Sequence, residues 1–276
     1  MNYRHAYHAG NFADVLKHAA LLALLLHLRK KTAAFAVIDT HGGRGLYDLK
    51  GGEAGRTHEA EDGIVKLSAD GALPPLLASY VELVRSFGED LYPGSPLIAV
   101  RLLRAQDRLV AIEKHPEEYR ALAAALAPFP STKAVFGDGY LELPRLLPPP
   151  ERRGVVLIDP PYEVTDEFQR AARALIAGYR RFANGLFLLW YPAKERANVE
   201  AIAGELLTGG ITELLRVELD IGAAPDAAGL SATGLLVVNP PYGFAAEMEG
   251  MCPVLVQRLG RTGGAGCRVQ VLAGEG

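Results

Sequence analysis

Apolar runs of four to eight residues recur along this chain, separated by longer stretches in which apolar positions repeat at helical spacing. The runs at 33–40, 109–113, 133–136, 154–158 and 186–190 read as strands. The stretches 117–127, 166–182 and 193–208 read as helices, as does 11–29, where Asn11 is a good N-cap and Arg29 suits the negative end of the dipole. Strand and helix alternate through the middle of the chain, the pattern of a parallel sheet with helices on both faces and hence of an α/β fold. Two later strands, 213–221 and 235–239, are expected to pair as an antiparallel edge. A helix to about Leu259 and a short strand at 269–272 finish the chain.

One segment breaks this rhythm. In a doubly wound domain the second strand follows the first glycine-rich turn closely, with its acid about 20 residues on. Here the turn Asp39-Thr40-His41-Gly42-Gly43-Arg44-Gly45 is followed by a good strand only at 109–113. The intervening residues 48–92 carry acidic Glu59-Ala60-Glu61-Asp62 and two helical patterns, at 64–67 and 76–87. They are expected to form an inserted small helical subdomain, with 1–47 and 93–276 making the main domain. Tyr92-Pro93-Gly94-Ser95-Pro96 closes the insertion, Ser95 reading as an N-cap and Pro96 as the start of a helix.

Composition narrows the class. The 276 residues are 49% hydrophobic with a net charge of −3, so any nucleic acid must be bound through a local basic patch. The run Ala19–Leu26 looks like the core of a signal peptide. Arg29-Lys30-Lys31 follows where a cleavage site should be, and the run falls short of the roughly 20 residues that span a bilayer, so a core helix is expected and no membrane partner. Cys252 and Cys267 suit neither a disulfide framework nor a zinc site, so no metal is assigned and a reducing, cytoplasmic setting is expected.

The chemistry concentrates at strand ends. Val155–Ile158 reads as a buried strand, and Asp159-Pro160-Pro161-Tyr162 ends it, because prolines cannot donate to a ladder. Ligands of open α/β sheets bind beyond the carboxyl ends of strands. A nucleobase amine is a poor nucleophile, its lone pair delocalised into the ring. The Asp159 carboxylate and the Pro160 carbonyl would accept its two N–H groups and aim the lone pair at a methyl donor, while Tyr162 stacks on the base. Asp39 and Gly43 in the glycine turn, Glu113 for ribose hydroxyls, and Asp138 with Gly139 for an adenine ring complete a cofactor rim, to which Ser95 could add. Each strand-end acid alone is as readily surface charge. Tyr3, Arg4 and His5 form either a frayed end or a substrate-touching arm, and Lys17 and His18 are either solvated or turned toward the ligand. Asn239-Pro240-Pro241-Tyr242 repeats the motif, but an antiparallel edge would point it to the opposite rim.

The chain resembles the RlmJ family of 23S ribosomal RNA adenine-N6 methyltransferases. The resemblance rests on Tyr3-Arg4-His5, His8-Ala9-Gly10-Asn11 with Asp14-Val15-Leu16-Lys17-His18, Asp39-Thr40-His41-Gly42, Tyr92–Pro96 and Ile158–Tyr162. It implies a Rossmann-like class I methyltransferase with a seven-stranded sheet, an inserted helical subdomain and S-adenosylmethionine as cofactor. It also implies that His18, His41, Ser95, Glu113, Asp138 and Gly139 line the cofactor, that Asp159 is catalytic, and that Tyr3 meets the RNA. Lys17, Asp39, Gly43 and Asp159 itself are added to the cofactor set, and Arg4, His5 and Tyr162 to the RNA set. The substrate would be one unpaired or flipped-out adenine in free or partly assembled 23S RNA, bound by a monomer. Arg4, Lys17, Arg152 and Arg153 are the candidate phosphate contacts, unless they are plain surface charge. The rival readings are methylation of guanine N2 or of a glutamine side chain, and a non-catalytic nucleic-acid-binding protein of the same fold.

Overall fold

The structure is a computed structural model and describes residues 7–51, 58–69, 71–194, 196–222 and 229–274. Tyr3, Arg4 and His5 lie outside the described residues. Helix α1, Phe12–Arg29, begins at the Asn11 cap, whose side-chain oxygen accepts from the amides of Ala13 and Asp14. Leu16, Leu24 and Leu25 are wholly buried on different sides of it, so α1 is a core helix.

The sheet holds β1 (Ala36–Asp39), β4 (Arg108–Glu113), β5 (Thr132–Phe136), β6 (Gly154–Ile158), β7 (Leu186–Pro192), β8 (Leu214–Asp220), β9 (Ala232–Val238) and β10 (Gly266–Ala273). Their order is β10-β8-β9-β7-β6-β1-β4-β5. The five strands from β7 to β5 are parallel, while β9, β8 and β10 pair antiparallel. Every residue of β6 is buried, as expected of a central parallel strand with both faces covered. The sheet has eight strands where seven were expected. The additional edge is β10, which pairs with β8 over nearly its whole length and so is a full strand rather than a short tail.

Helices α3 (Ser95–Val100), α4 (Pro116–Leu126), α5 (Gly139–Leu146), α6 (Glu167–Arg181), α7 (Arg196–Thr208) and α8 (Phe244–Leu259) make the connections. Within 48–92 lie a π-helical turn, Glu61–Val65, and helix α2, Pro75–Arg85. The segment is bracketed by a two-stranded ladder in which β2 (Leu46–Asp48) pairs antiparallel with β3 (Leu91–Pro93). Ile64, Leu77, Tyr80 and Val81 share one apolar core with α1. No helix among the described residues is long and apolar enough to cross a membrane.

The cysteines correct the sequence reading. Cys252 on α8 and Cys267 on β10 form a disulfide, with Cα atoms 5.3 Å apart. They stand 15 positions apart in the chain, the length of a helix end, a turn and a returning strand, which brings the two side by side. The inference of a reducing compartment from unpaired cysteines therefore loses its ground.

Candidate active site

Sheet order places the predicted carboxylates along one rim. Asp159 follows β6, Asp39 ends β1, Glu113 ends β4 and Asp138 follows β5, and these strands are neighbours in that sequence. Beyond their carboxyl ends lies a cavity of about 650 Å³. Its wall includes Lys17, His18, His41, Gly43, Ser95, Glu113, Asp138, Gly139, Asp159, Pro160 and Tyr162. Of the described candidates, Asp39 alone stands behind the wall, 1% exposed. There it accepts from the Ser95 hydroxyl (2.6 Å) and the His41 amide (3.2 Å). Burial, with the Asp159 charge adding to it, pushes the Asp39 carboxyl up to about 6.

The centre of the site is an ion triad. The Lys17 ammonium meets Asp159 Oδ2 at 2.5 Å and Asp14 Oδ1 at 2.8 Å, one turn earlier on α1. Lys17 is 3% exposed. Burial works against its charge, but the two carboxylates outweigh that and hold its pKa above the ordinary lysine value. Lys17 is therefore an anchored cation and cannot serve as the phosphate contact it was expected to be. Asp14 also accepts from the Gly10 amide (2.9 Å), tying the chain that enters α1 to the same triad. Among the described residues nothing pairs with the second oxygen of Asp159, which remains as an acceptor on the cavity side.

The other walls are held by local geometry. Tyr162 sits at φ 52°, in the left-handed region, and donates its hydroxyl to the Trp190 carbonyl (2.7 Å) while packing against Phe168 and Trp190. Its ring is thus fixed at the cavity edge. His18 shares a hydrogen bond with the buried Tyr92 hydroxyl (2.6 Å), which in turn meets Tyr80 (2.8 Å). His41 lies edge-on to Tyr140, and burial holds its imidazole down at about 4, so it is neutral at pH 7. Glu113 accepts from the amides of Gly43 (2.9 Å) and His115 (2.7 Å), and burial raises its pKa despite those bonds. Asp138 caps α5 through the Tyr140 amide and meets Lys114 at 2.7 Å. Burial opposes its ionisation, but Lys114 and Arg170 bring its pKa below the usual range.

Two glycines have steric reasons. A Cβ on Gly139 would strike the Thr40 carbonyl, and one on Gly43, at φ 58°, would strike the Tyr47 hydroxyl. Ser95 is not the cap it was expected to be. Gly94 occupies that position, Ser95 is the first residue of α3, and its hydroxyl is committed to Asp39. Arg152 and Arg153 immediately precede β6, at the opposite end of the strand from Asp159, so they lie on the far rim and not at the cavity mouth. Sequence reasoning missed Asp14, Trp190 and His115 as wall residues. The last was findable from its place two residues after Glu113.

A cofactor with a nucleoside and a charged tail fits these residues. The volume lies within the range of ligand pockets, and His115 Nδ1 is buried in the wall beside Glu113 with no hydrogen-bond partner among the described residues, an orphan that a polar ligand edge would satisfy.

The comparisons with known proteins point to one family. A family described as "RsmJ: Ribosomal RNA large subunit methyltransferase D, RlmJ" matches residues 32–271. Ribosomal RNA large subunit methyltransferase J of Haemophilus influenzae is 39% identical over 94% of each chain, and that of Escherichia coli is 38% identical, again over 94% of each. A crystal structure of protein LPL1258 from Legionella pneumophila superposes with a TM-score of 0.89 at 34% identity, covering 96% of this chain and 98% of the other. With this match in family, length and fold, the chain belongs to the RlmJ family of ribosomal RNA large subunit methyltransferases.

Proposed function

We propose that this protein methylates the N6 amine of a single adenine in 23S ribosomal RNA, with S-adenosylmethionine as the methyl donor. The observation that carries the reading is Asp159, held by Lys17 through one carboxylate oxygen at the end of β6, beside Pro160 and the anchored ring of Tyr162 in one cavity. When bound, the cofactor would supply an electrophilic methyl carbon on a sulfonium, whose sulfur leaves as a neutral thioether as the carbon bonds to N6 and the amine gives up one proton to solvent. The protein's task is to present the amine. The free oxygen of Asp159 and the carbonyl of Pro160 accept the two N–H groups, drawing the nitrogen toward tetrahedral geometry. Tyr162 holds the base by its face. Glu113, His115, Asp138 and His41 would hold the nucleoside of the cofactor, with His18 and Ser95 completing the wall.

A base within a stem cannot enter such a cavity, so the adenine is taken flipped out or unpaired. We read the chain as a monomer acting in the cytoplasm on free or partly assembled RNA, with 48–92 an insertion braced on α1 and Tyr3, Arg4 and His5 reaching the RNA. The test is transfer from labelled S-adenosylmethionine into purified 23S RNA and into assembled large subunits, followed by nucleoside analysis. N6-methyladenosine in the free RNA is expected, and none in the subunit. Methyl groups recovered on guanine N2 would replace this reading with its nearest rival.

A further inference from the structure

Three stretches distinctive in the sequence are not used by the cavity: Arg29-Lys30-Lys31, Arg152-Arg153 and Asn239–Tyr242. They meet on the opposite rim. Helix α1 starts at the cavity, and its last turn lies at the far end of the sheet. There the Arg153 guanidinium donates to the carbonyls of Ala33 (2.6 Å) and Leu28 (3.0 Å), joining the first two stretches. Arg152 is exposed and its carbonyl accepts from Asn184. The carbonyls on either side of Asn184, those of Ala183 and Gly185, accept from Asn239.

Of the carboxylates on this rim, Asp107 is taken by Arg104 (2.7 Å) and Glu151 by Arg108 (3.0 Å). Glu213, whose carbonyl accepts from the Asn239 amide, is exposed and has no ion-pair partner among the described residues. Among the described residues, Arg29, Lys30, Lys31, Arg152 and Arg153 have no ion-pair partner. His27 registers the local field: burial first, then Lys30, Lys31 and Arg153, hold its pKa below the ordinary imidazole value. On the cavity side Lys114, Arg170 and Arg261 each face a carboxylate, and of the cations in the wall Lys194 alone has no ion-pair partner among the described residues. The helix dipole accounts for cations at the end of α1, but not for Arg152 and Arg153, which come from another segment. In a chain of net charge −3, five unpaired cations on one rim are a local concentration that fits a polyanion.

We propose that this rim is a second contact surface for the RNA substrate, gripping the phosphate backbone of a segment that flanks the methylated adenine. The proposal rests on the reading of the cavity as an RNA methyltransferase site. The 18 residues of α1 span about 27 Å, so a short hairpin seated in the cavity does not reach the rim and a longer stem does.

The test compares two RNAs that carry the target adenine, one shorter than this span and one longer, using wild type and an Arg29→Gln, Lys30→Gln, Lys31→Gln, Arg152→Gln variant. Arg153 is kept because its bonds hold the end of α1. KM for the long RNA is expected to rise about tenfold, and the slope of log affinity against log salt to become shallower by about three. The kcat and the KM for the short RNA should stay as in wild type. Unchanged KM and slope for the long RNA, in a variant with a wild-type melt, overturn the proposal. So does an equal loss on both RNAs, or loss of binding to anionic lipid vesicles while RNA binding is intact. Should the fourfold variant not fold, Arg152→Gln alone is expected to flatten the slope by about one, and no change there overturns the proposal. If wild type methylates neither RNA, the activity reading fails, and a gel-shift with the long RNA still judges the surface.

Discussion

The molecule holds two Pro-Pro-Tyr turns after sheet strands, and they have opposite fates. Asp159-Pro160-Pro161-Tyr162 follows the parallel strand β6, and its acid faces a cavity where Lys17 grips it while its tyrosine is anchored to Trp190. Asn239-Pro240-Pro241-Tyr242 follows β9, which runs antiparallel to β7 and so delivers the turn to the other rim. There the Asn239 amide spends both of its N–H groups on the carbonyls of Ala183 (2.8 Å) and Gly185 (2.7 Å), at the entry to β7. Tyr242 is 98% exposed. The backbones differ too: the left-handed residue is the last of the first turn, Tyr162 at φ 52°, and the first of the second, Asn239 at φ 54°. The difference teaches that the motif is a way to end a strand, and that it becomes a site only when strand direction points it at a cavity with a counter-charge.

The largest effect that could break this comparison is at Asp159. Asp159→Ala is expected to lower methyl transfer by about a hundredfold to ten-thousandfold while the cofactor still binds by calorimetry, because the lost interactions act in the transition state. Asp159→Asn should be milder, since an amide oxygen still accepts one hydrogen bond; an inactive Asn variant would make the carboxylate a base rather than an orienting group.

Lys17→Met comes next. It leaves the carboxylates of Asp14 and Asp159 buried near one another without their shared cation, a loss of about 3–5 kcal/mol for a broken buried pair, read by thermal melt. The same change removes the cation that fixes one oxygen of Asp159, so methyl transfer should fall in a variant that still melts as a folded protein. Unchanged transfer would show that Lys17 does not position Asp159.

The smallest effect belongs to the second turn. Asn239→Ala removes two hydrogen bonds to carbonyls and places alanine at a positive φ, for a stability loss of about 1–3 kcal/mol, with transfer unchanged. Transfer lost in that variant with its fold intact, while Asp159→Ala remained active, would reverse the assignment of the two rims.

Much of this was legible in the residues, for identifiable reasons. The strand-end acids could be found because a parallel strand is a short apolar run with a sharp end, so Asp159, Glu113 and Asp138 are named by position alone. The rim of Arg152 and Arg153 was also readable, since both precede β6 and Asp159 ends it, yet they were grouped with the cavity by charge type instead of strand direction. Lys17 was open because a lysine in the first turns of a helix has the same local pattern whether water or a carboxylate 142 positions away receives it. Ser95 was misplaced by one residue because glycine and serine are both acceptable caps, and only the Asp39 carboxylate, brought near by β1, shows what its hydroxyl bonds.

By itself the sequence determined the α/β alternation, the buried α1, the antiparallel edge and the chemical types gathered at the strand ends, because these follow from local periodicity and chain punctuation. The tertiary structure alone decided the Asp14–Lys17–Asp159 triad, the Cys252–Cys267 pairing, the His18–Tyr92–Tyr80 chain and the meeting of two basic stretches on the far rim. Each joins groups from segments that are separate in the sequence, and no local pattern encodes the distance between them.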